Sequence, residues 1–119
     1  MNTNIENLKI KDLVPAGGTA VSSDDGDILF EKIKDSIQNG KSVELDFSGV
    51  TLITTAYLNS AIGQLYSLFT SDQLNNSLKL KNVADEDKIL FKRVILRAKE
   101  YFAHKKGFED SADNAFYGG

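Results

Sequence analysis

Two adjacent hydroxyl residues, Thr54 and Thr55, stand just before the apolar-periodic stretch Ala56–Phe69, where Leu58, Ile62, Leu65 and Phe69 recur on one side. A hydroxyl at such a helix start sits beside unpaired N–H groups and the positive end of the helix dipole, so a phosphate placed on Thr55 would be held rather than repelled. The simpler reading is that Thr54 or Thr55 caps the helix. Upstream, Asp46 ends the alternating segment Val43–Phe47 and precedes Ser48-Gly49-Val50. A carboxylate at the end of a central strand invites comparison with the phosphoaspartate of receiver domains. That chemistry needs further acids to hold Mg²⁺, and Asp12 alone offers one, without an obvious lysine partner. Asp46 is otherwise suited to accept backbone N–H bonds in the Ser48-Gly49 turn.

The other reactive residue types form no constellation. Asp24, Asp25 and Asp27 cluster around Gly26 but lack the spacing and terminal Glu of a calcium loop, and they fit a solvated helix start. His104, the single histidine, has no Ser or Cys nucleophile motif to serve. Gly17-Gly18 is followed by neither phosphate-loop pattern. The sequence therefore predicts no catalytic residue, no metal site and no cofactor.

The elements that position these residues follow from periodicity. Leu8 and Ile10 alternate with Lys9 and Lys11, predicting a strand between Ile5 and Val14. Pro15, Gly17 and Gly18 turn the chain into a short β-prone segment, Thr19-Ala20-Val21. Ser22, Ser23 or Asp24 can cap a helix carrying Leu29, Phe30, Ile33 and Ile37 on one arc, and Asn39-Gly40 ends it. A strand over Val43–Phe47, a helix over Ala56–Phe69, a strand around Leu78 and Leu80, and a helix from Asp85 to about Phe102 complete the order. Strands separated by helical stretches indicate an α/β fold, expected as a mixed central sheet of about four strands packed with three main helices. One domain is expected over residues 1–104, with 105–119 a polar, poorly ordered tail.

Composition narrows the function. The chain has 119 residues, 41% hydrophobic, enough for one core. Its net charge of -3 gives no global attraction to nucleic-acid phosphates. No apolar run is long enough to cross a bilayer and the N-terminus is too polar for a signal peptide, so a cytoplasmic protein with no membrane partner is expected. The absence of Cys excludes disulfides and thiolate chemistry.

The segment VELDFSGVTLITTAYLNSAIGQL, Val43 to Leu65, resembles the central motif of STAS domains, the family named for sulfate transporters and anti-sigma-factor antagonists. It looks closest to the STAS-like branch placed near histidine-kinase-type ATPases. Asp46, Ser48, Gly49, Val50 and Ile53 match the motif, and Thr55 falls where the antagonists carry their phosphorylatable Ser or Thr. The sequence departs from the pattern at Thr54, where the antagonists usually have Asp, and at Tyr57 and Asn59, which replace small glycines. The resemblance implies a non-catalytic regulatory module that binds a protein, with a histidine-kinase-type ATPase as the partner class and Thr55 as phosphoacceptor.

Two faces present themselves for docking. On a helical wheel Asn59, Ser60, Gly63, Gln64, Ser67 and Thr70 oppose the apolar side of the second helix, and this outer side carries no charge, as interface centres do not. Docking is expected there and on the loop Ser48–Thr55. The second choice is the basic face of the last helix, where Ile89 and Leu96 stand among Lys88, Lys92, Arg93 and Lys99. A receiver-type phosphoacceptor at Asp46 and an enzyme with a small-molecule site are the competing readings.

Overall fold

A computed structural model describes the backbone of residues 4–117 and the side chains of residues 4–103. The strand predicted from the Leu8/Ile10 alternation is β1, Ile5–Lys9, and it stops where Ile10–Leu13 winds into a 3-10 turn that buries Ile10. Strand β2, Thr19–Ala20, leads into α1, Ser23–Gln38, whose N-cap is Ser22, accepting from the Asp25 N–H at 3.1 Å. Strand β3 is Ser42–Asp46 and β4 is Leu52–Ile53. Helices α2, Thr55–Ala61, and α3, Ser71–Ser77, precede β5, Leu78–Lys81, and α4, Asp85–Tyr117. The tail expected at 105–119 falls outside the described side chains; along its backbone α4 continues to Tyr117.

Leu8, Leu45 and Leu80 lie opposite one another across β1-β3-β5, with β3 central, so one row of the sheet is apolar. Val43, Leu45 and Phe47 are buried on that side with Leu29 and Ile33 of α1 and Leu58, Ile62 and Leu65 from the α2 region. Phe47 meets Phe91 of α4 edge-on, with centroids 5.0 Å apart. The alternate row, Asn7, Glu44 and Lys79, is polar, and Lys81 pairs with Glu44 at 3.5 Å.

Two expectations need correction. The described sheets are parallel, not mixed, and number three strands (β1-β3-β5) and two (β2-β4) instead of a single four-stranded sheet. Each return within the larger sheet passes through helix, which is how parallel neighbours must be joined. The β2-β4 pair stands apart because the turns Pro15–Gly18 and Phe47–Val50 carry both chains off the main sheet together; the Thr51 N–H reaches the Gly18 carbonyl at 2.9 Å. Gly18, at φ +75°, is buried there, and any β-carbon would collide with the Gly49 carbonyl.

The second correction concerns the helix expected over Ala56–Phe69. It ends at Ala61, is followed by a 3-10 turn over Gly63–Ser67, and restarts as α3. Gly63 is a poor helix former, and Thr70 and Gln73 cap α3 reciprocally, the Gln73 N–H on the Thr70 hydroxyl at 3.0 Å and the Thr70 N–H on Gln73 Oε1 at 2.8 Å.

Candidate functional site

Asp46 ends β3 with its carboxylate bent back over the following turn. Its Oδ1 accepts from the Ser48 N–H and the Ser48 hydroxyl, each at 2.9 Å, and from the Asn82 side-chain amide at 2.8 Å. The Asn82 bond, then the two from Ser48, hold the carboxyl down at about 2, with the Lys81 charge adding to them. Asn82 follows β5 with φ at 59°, a left-handed conformation that Asn tolerates better than most residues. Asp46 therefore ties the end of β3 to the end of β5. One oxygen used three times over in this way fits a turn-holding carboxylate. Asp12, the acid that a receiver site would need, sits exposed in the 3-10 turn after β1. Among the described residues no three His, Cys, Asp or Glu side chains are placed to hold a metal ion.

The two threonines are assigned different positions. Thr54 is the N-cap of α2: its hydroxyl accepts from the Tyr57 N–H at 3.2 Å and donates to the Val21 carbonyl at 2.7 Å. Its own N–H bonds to the Ala20 carbonyl at 3.1 Å, continuing the β2-β4 pairing. Thr55 is the first helical residue and is exposed. The hydroxyl that builds the fold and the hydroxyl that faces outward are thus adjacent and distinct.

The outer-face residues of the sequence reading divide. Asn59 and Ser67 are exposed, although the Ser67 hydroxyl donates to the Gln64 carbonyl at 2.7 Å. Ser60 lies against α1, where a β-carbon on Gly26 would come within 2.7 Å of Ser60 Cβ. Gln64 donates to Asp27 Oδ1 and to the Ser60 carbonyl, both at 2.9 Å. Gly63 is buried, with Ala98 of α4 beside it. Of the face drawn on the wheel as open, Asn59, Ser67 and Thr70 are exposed, while Gly63 is buried and Ser60 and Gln64 are half-buried beside neighbouring helices. The lack of charge at Ser60, Gly63 and Gln64 reflects close helix packing.

An exposed stretch with no charged residue of its own lies one step toward the N-terminus, with the Lys11 side chain beside Gly49. Ser48, Gly49, Thr51, Leu52, Thr55, Ala56 and Asn59 are all exposed, and Leu52 is 54% so while its neighbour Ile53 is buried. Neither Leu52 nor Asn82 stood out in the sequence. The Leu52/Ile53 alternation was the available signal for the first, and two residues are too few to separate it from loop. A cleft of about 210 Å³ opens beside this loop at the carboxyl ends of β3 and β5, between Phe47, Val50, Ile53, Val83 and Asp87. Small-molecule sites usually enclose about 300–1,000 Å³.

Among the described residues no helix is long and apolar enough to cross a membrane. No curated protein and no solved structure matches the chain. Residues 25–88 match the family described as STAS-like domain of unknown function (DUF4325), a span running from the start of α1 to the first turn of α4 and containing the whole Asp46–Thr55 loop. With more than half its length inside that match, this chain belongs to the family of STAS-like domains of unknown function.

Proposed function

We propose that this chain is a non-catalytic regulatory module that binds a protein partner through the loop Ser48–Thr55 and the exposed start of α2, with Thr55 as its phosphoacceptor. The observation that carries this reading is the mostly exposed segment from Ser48 to Asn59, which has no charged residue of its own and in which Leu52 is 54% exposed and Thr55 is exposed. Interface centres are depleted of charge and rich in apolar anchors, and Leu52 supplies such an anchor. The division between Thr54 and Thr55 supports the phosphoacceptor role, because modification of Thr55 leaves the α2 cap untouched. A histidine-kinase-type ATPase is the partner class this family resemblance favours.

The test is titration of such an ATPase from the same genome, with labelled ATP, against the wild type and the Leu52→Lys and Thr55→Ala variants. Leu52→Lys should keep the fold, since exposed changes shift stability by under about 0.5 kcal/mol, and should weaken binding by about 2 kcal/mol or more. Thr55→Ala should abolish the label. Full binding by Leu52→Lys, or a label that survives Thr55→Ala, would overturn the assignment.

A further inference from the structure

The cleft beside the Ser48–Thr55 loop draws its walls from the turn after β3, from Ile53 of β4, and from the chain that leaves β5 and opens α4. Phe47, Val50, Ile53 and Val83 make much of that wall apolar. Among the described residues lining it, Asp87 alone carries a charge. Its half-buried carboxylate makes no hydrogen bond and no ion pair with any described residue.

The Asp46 turn leaves the polar side chains beside Asp87 as acceptors. Ser48 directs both its N–H and its hydroxyl proton to Asp46 Oδ1, so the lone pairs of that hydroxyl have no donor among the described residues. Asn82 gives an amide N–H to the same oxygen at 2.8 Å, which fixes its carbonyl oxygen as the end without a described donor. The cations nearby are engaged or stand outside. Lys81 is paired with Glu44 at 3.5 Å and Lys88 with Asp85 at 2.9 Å, while Lys11, whose stem lies along Gly49, does not line the cleft. An anion drawn by the positive end of α4 would meet Asp85, Glu86 and Asp87 in its first turn.

We propose that this cleft takes an arginine side chain of the protein partner, with its guanidinium on Asp87 and its methylene stem along Phe47, Val50, Ile53 and Val83. The inference rests on the reading of the Ser48–Thr55 loop as a docking site, with which the cleft is continuous. At about 210 Å³ the cleft is below the usual range for a small-molecule site and suits one inserted side chain. Arginine fits better than lysine because its planar fork offers five donors and no acceptor, and because it sheds water more readily than an ammonium. Arginine is also among the residues enriched at interface hot spots.

Nuclear magnetic resonance titration of the isotope-labelled full chain with N-acetyl-arginine amide tests the cleft without the partner. Its neutral isostere, the citrulline derivative, and the lysine derivative are titrated beside it. The arginine probe should shift the amide signals of Ser48–Val50 and Asn82–Asp87 to saturation and bind more tightly than either comparison. Asp87→Asn should lose about tenfold or more in affinity for the probe, with an unchanged circular-dichroism spectrum. The second arm titrates the histidine-kinase-type ATPase against the wild type, Asp87→Asn and Leu52→Lys, and both variants should bind about tenfold or more weakly. An ATPase that binds Leu52→Lys normally removes the docking reading, and the partner's arginine with it. If Leu52→Lys is weakened while Asp87→Asn binds like the wild type, the cleft proposal alone is overturned. It is also overturned if the arginine probe gives no saturable shift, if either comparison binds as tightly, or if Asp87→Asn keeps its affinity for the probe.

Discussion

Replacing Gly26 with Ala should destabilise the fold, although the same change in an exposed helix ordinarily stabilises it. Ala is favoured over Gly by about 1 kcal/mol in a helix interior. Gly26, however, is buried where α1 crosses α2, and an added β-carbon would stand 2.6 Å from the Tyr57 carbonyl oxygen, 2.7 Å from Ser60 Cβ and 3.2 Å from the Ala61 nitrogen. Two of these neighbours are backbone of α2, so no rotamer change relieves them and the helices must move apart. Overpacking of this kind costs about 1–3 kcal/mol, and the separation also loosens the Leu29, Ile33 and Leu58 contacts. The net expectation is a loss of up to about 2 kcal/mol. Gly63→Ala is the matched comparison. Gly63 is also buried, but its nearest neighbours would lie at 3.6–3.9 Å, ordinary contact, and its φ is not positive. That substitution should leave stability unchanged or raise it by about 0.4–1 kcal/mol through the unfolded chain. Urea unfolding followed by far-ultraviolet circular dichroism measures both. A Gly26→Ala protein more stable than wild type would refute the close crossing of α1 and α2.

Among the described residues the fully buried Tyr57 hydroxyl has no hydrogen-bond partner, and burial, with the Asp25 charge, pushes its pKa upward. Tyr57→Phe should therefore be neutral or stabilising by about 1–3 kcal/mol, and a clear loss in urea unfolding would show that the hydroxyl is satisfied. Thr54→Ala, which removes the α2 cap and the bond to Val21, should cost about 1–2 kcal/mol, whereas Thr55→Ala should stay within about 0.5 kcal/mol; equal losses in thermal melts would contradict the assignment of the cap. Asp46 titrates at about 2 in the fold against an ordinary 3.8, so its carboxylate favours the folded state above pH 3.8 and that contribution disappears as pH falls through about 2. Asp46→Asn should flatten the stability profile between pH 5 and pH 2, and a profile as steep as wild type would place the acid sensitivity elsewhere.

Alternation and capping made the central elements legible. The row Leu8-Leu45-Leu80, the core of α1, and the inner side of α4 are apolar at the period each element requires, and burial is the only economical explanation of that pattern. The breaks were harder to see. Leu68 and Phe69 extend the apolar period of α2 past its true end, while the interruption rests on the single glycine at 63 and on Thr70-x-x-Gln73, a capping pair hidden inside an apparently continuous wave. Strand β4 escaped notice because two residues display no period, and its pairing with β2 depends on loops brought together by Gly18 rather than on any local preference.

The candidate site shows why absence of charge is an ambiguous signal. From Phe47 to Ser71 the sequence carries no charged residue, and two unrelated causes produce that stretch. Between Ser60 and Leu65 charge is excluded because the chain is wedged between α1 and α4, with Ser60 against Gly26 and Gly63 against Ala98. Between Ser48 and Asn59 the residues are mostly exposed, so packing does not require them to be neutral. Desolvation penalises a buried charge in either setting, whether the cover is the protein's own helix or a partner's surface. The composition of the two halves is consequently alike. Only the Gly26 contact, which requires the helix crossing to be known, separates the half that packs from the half that is exposed.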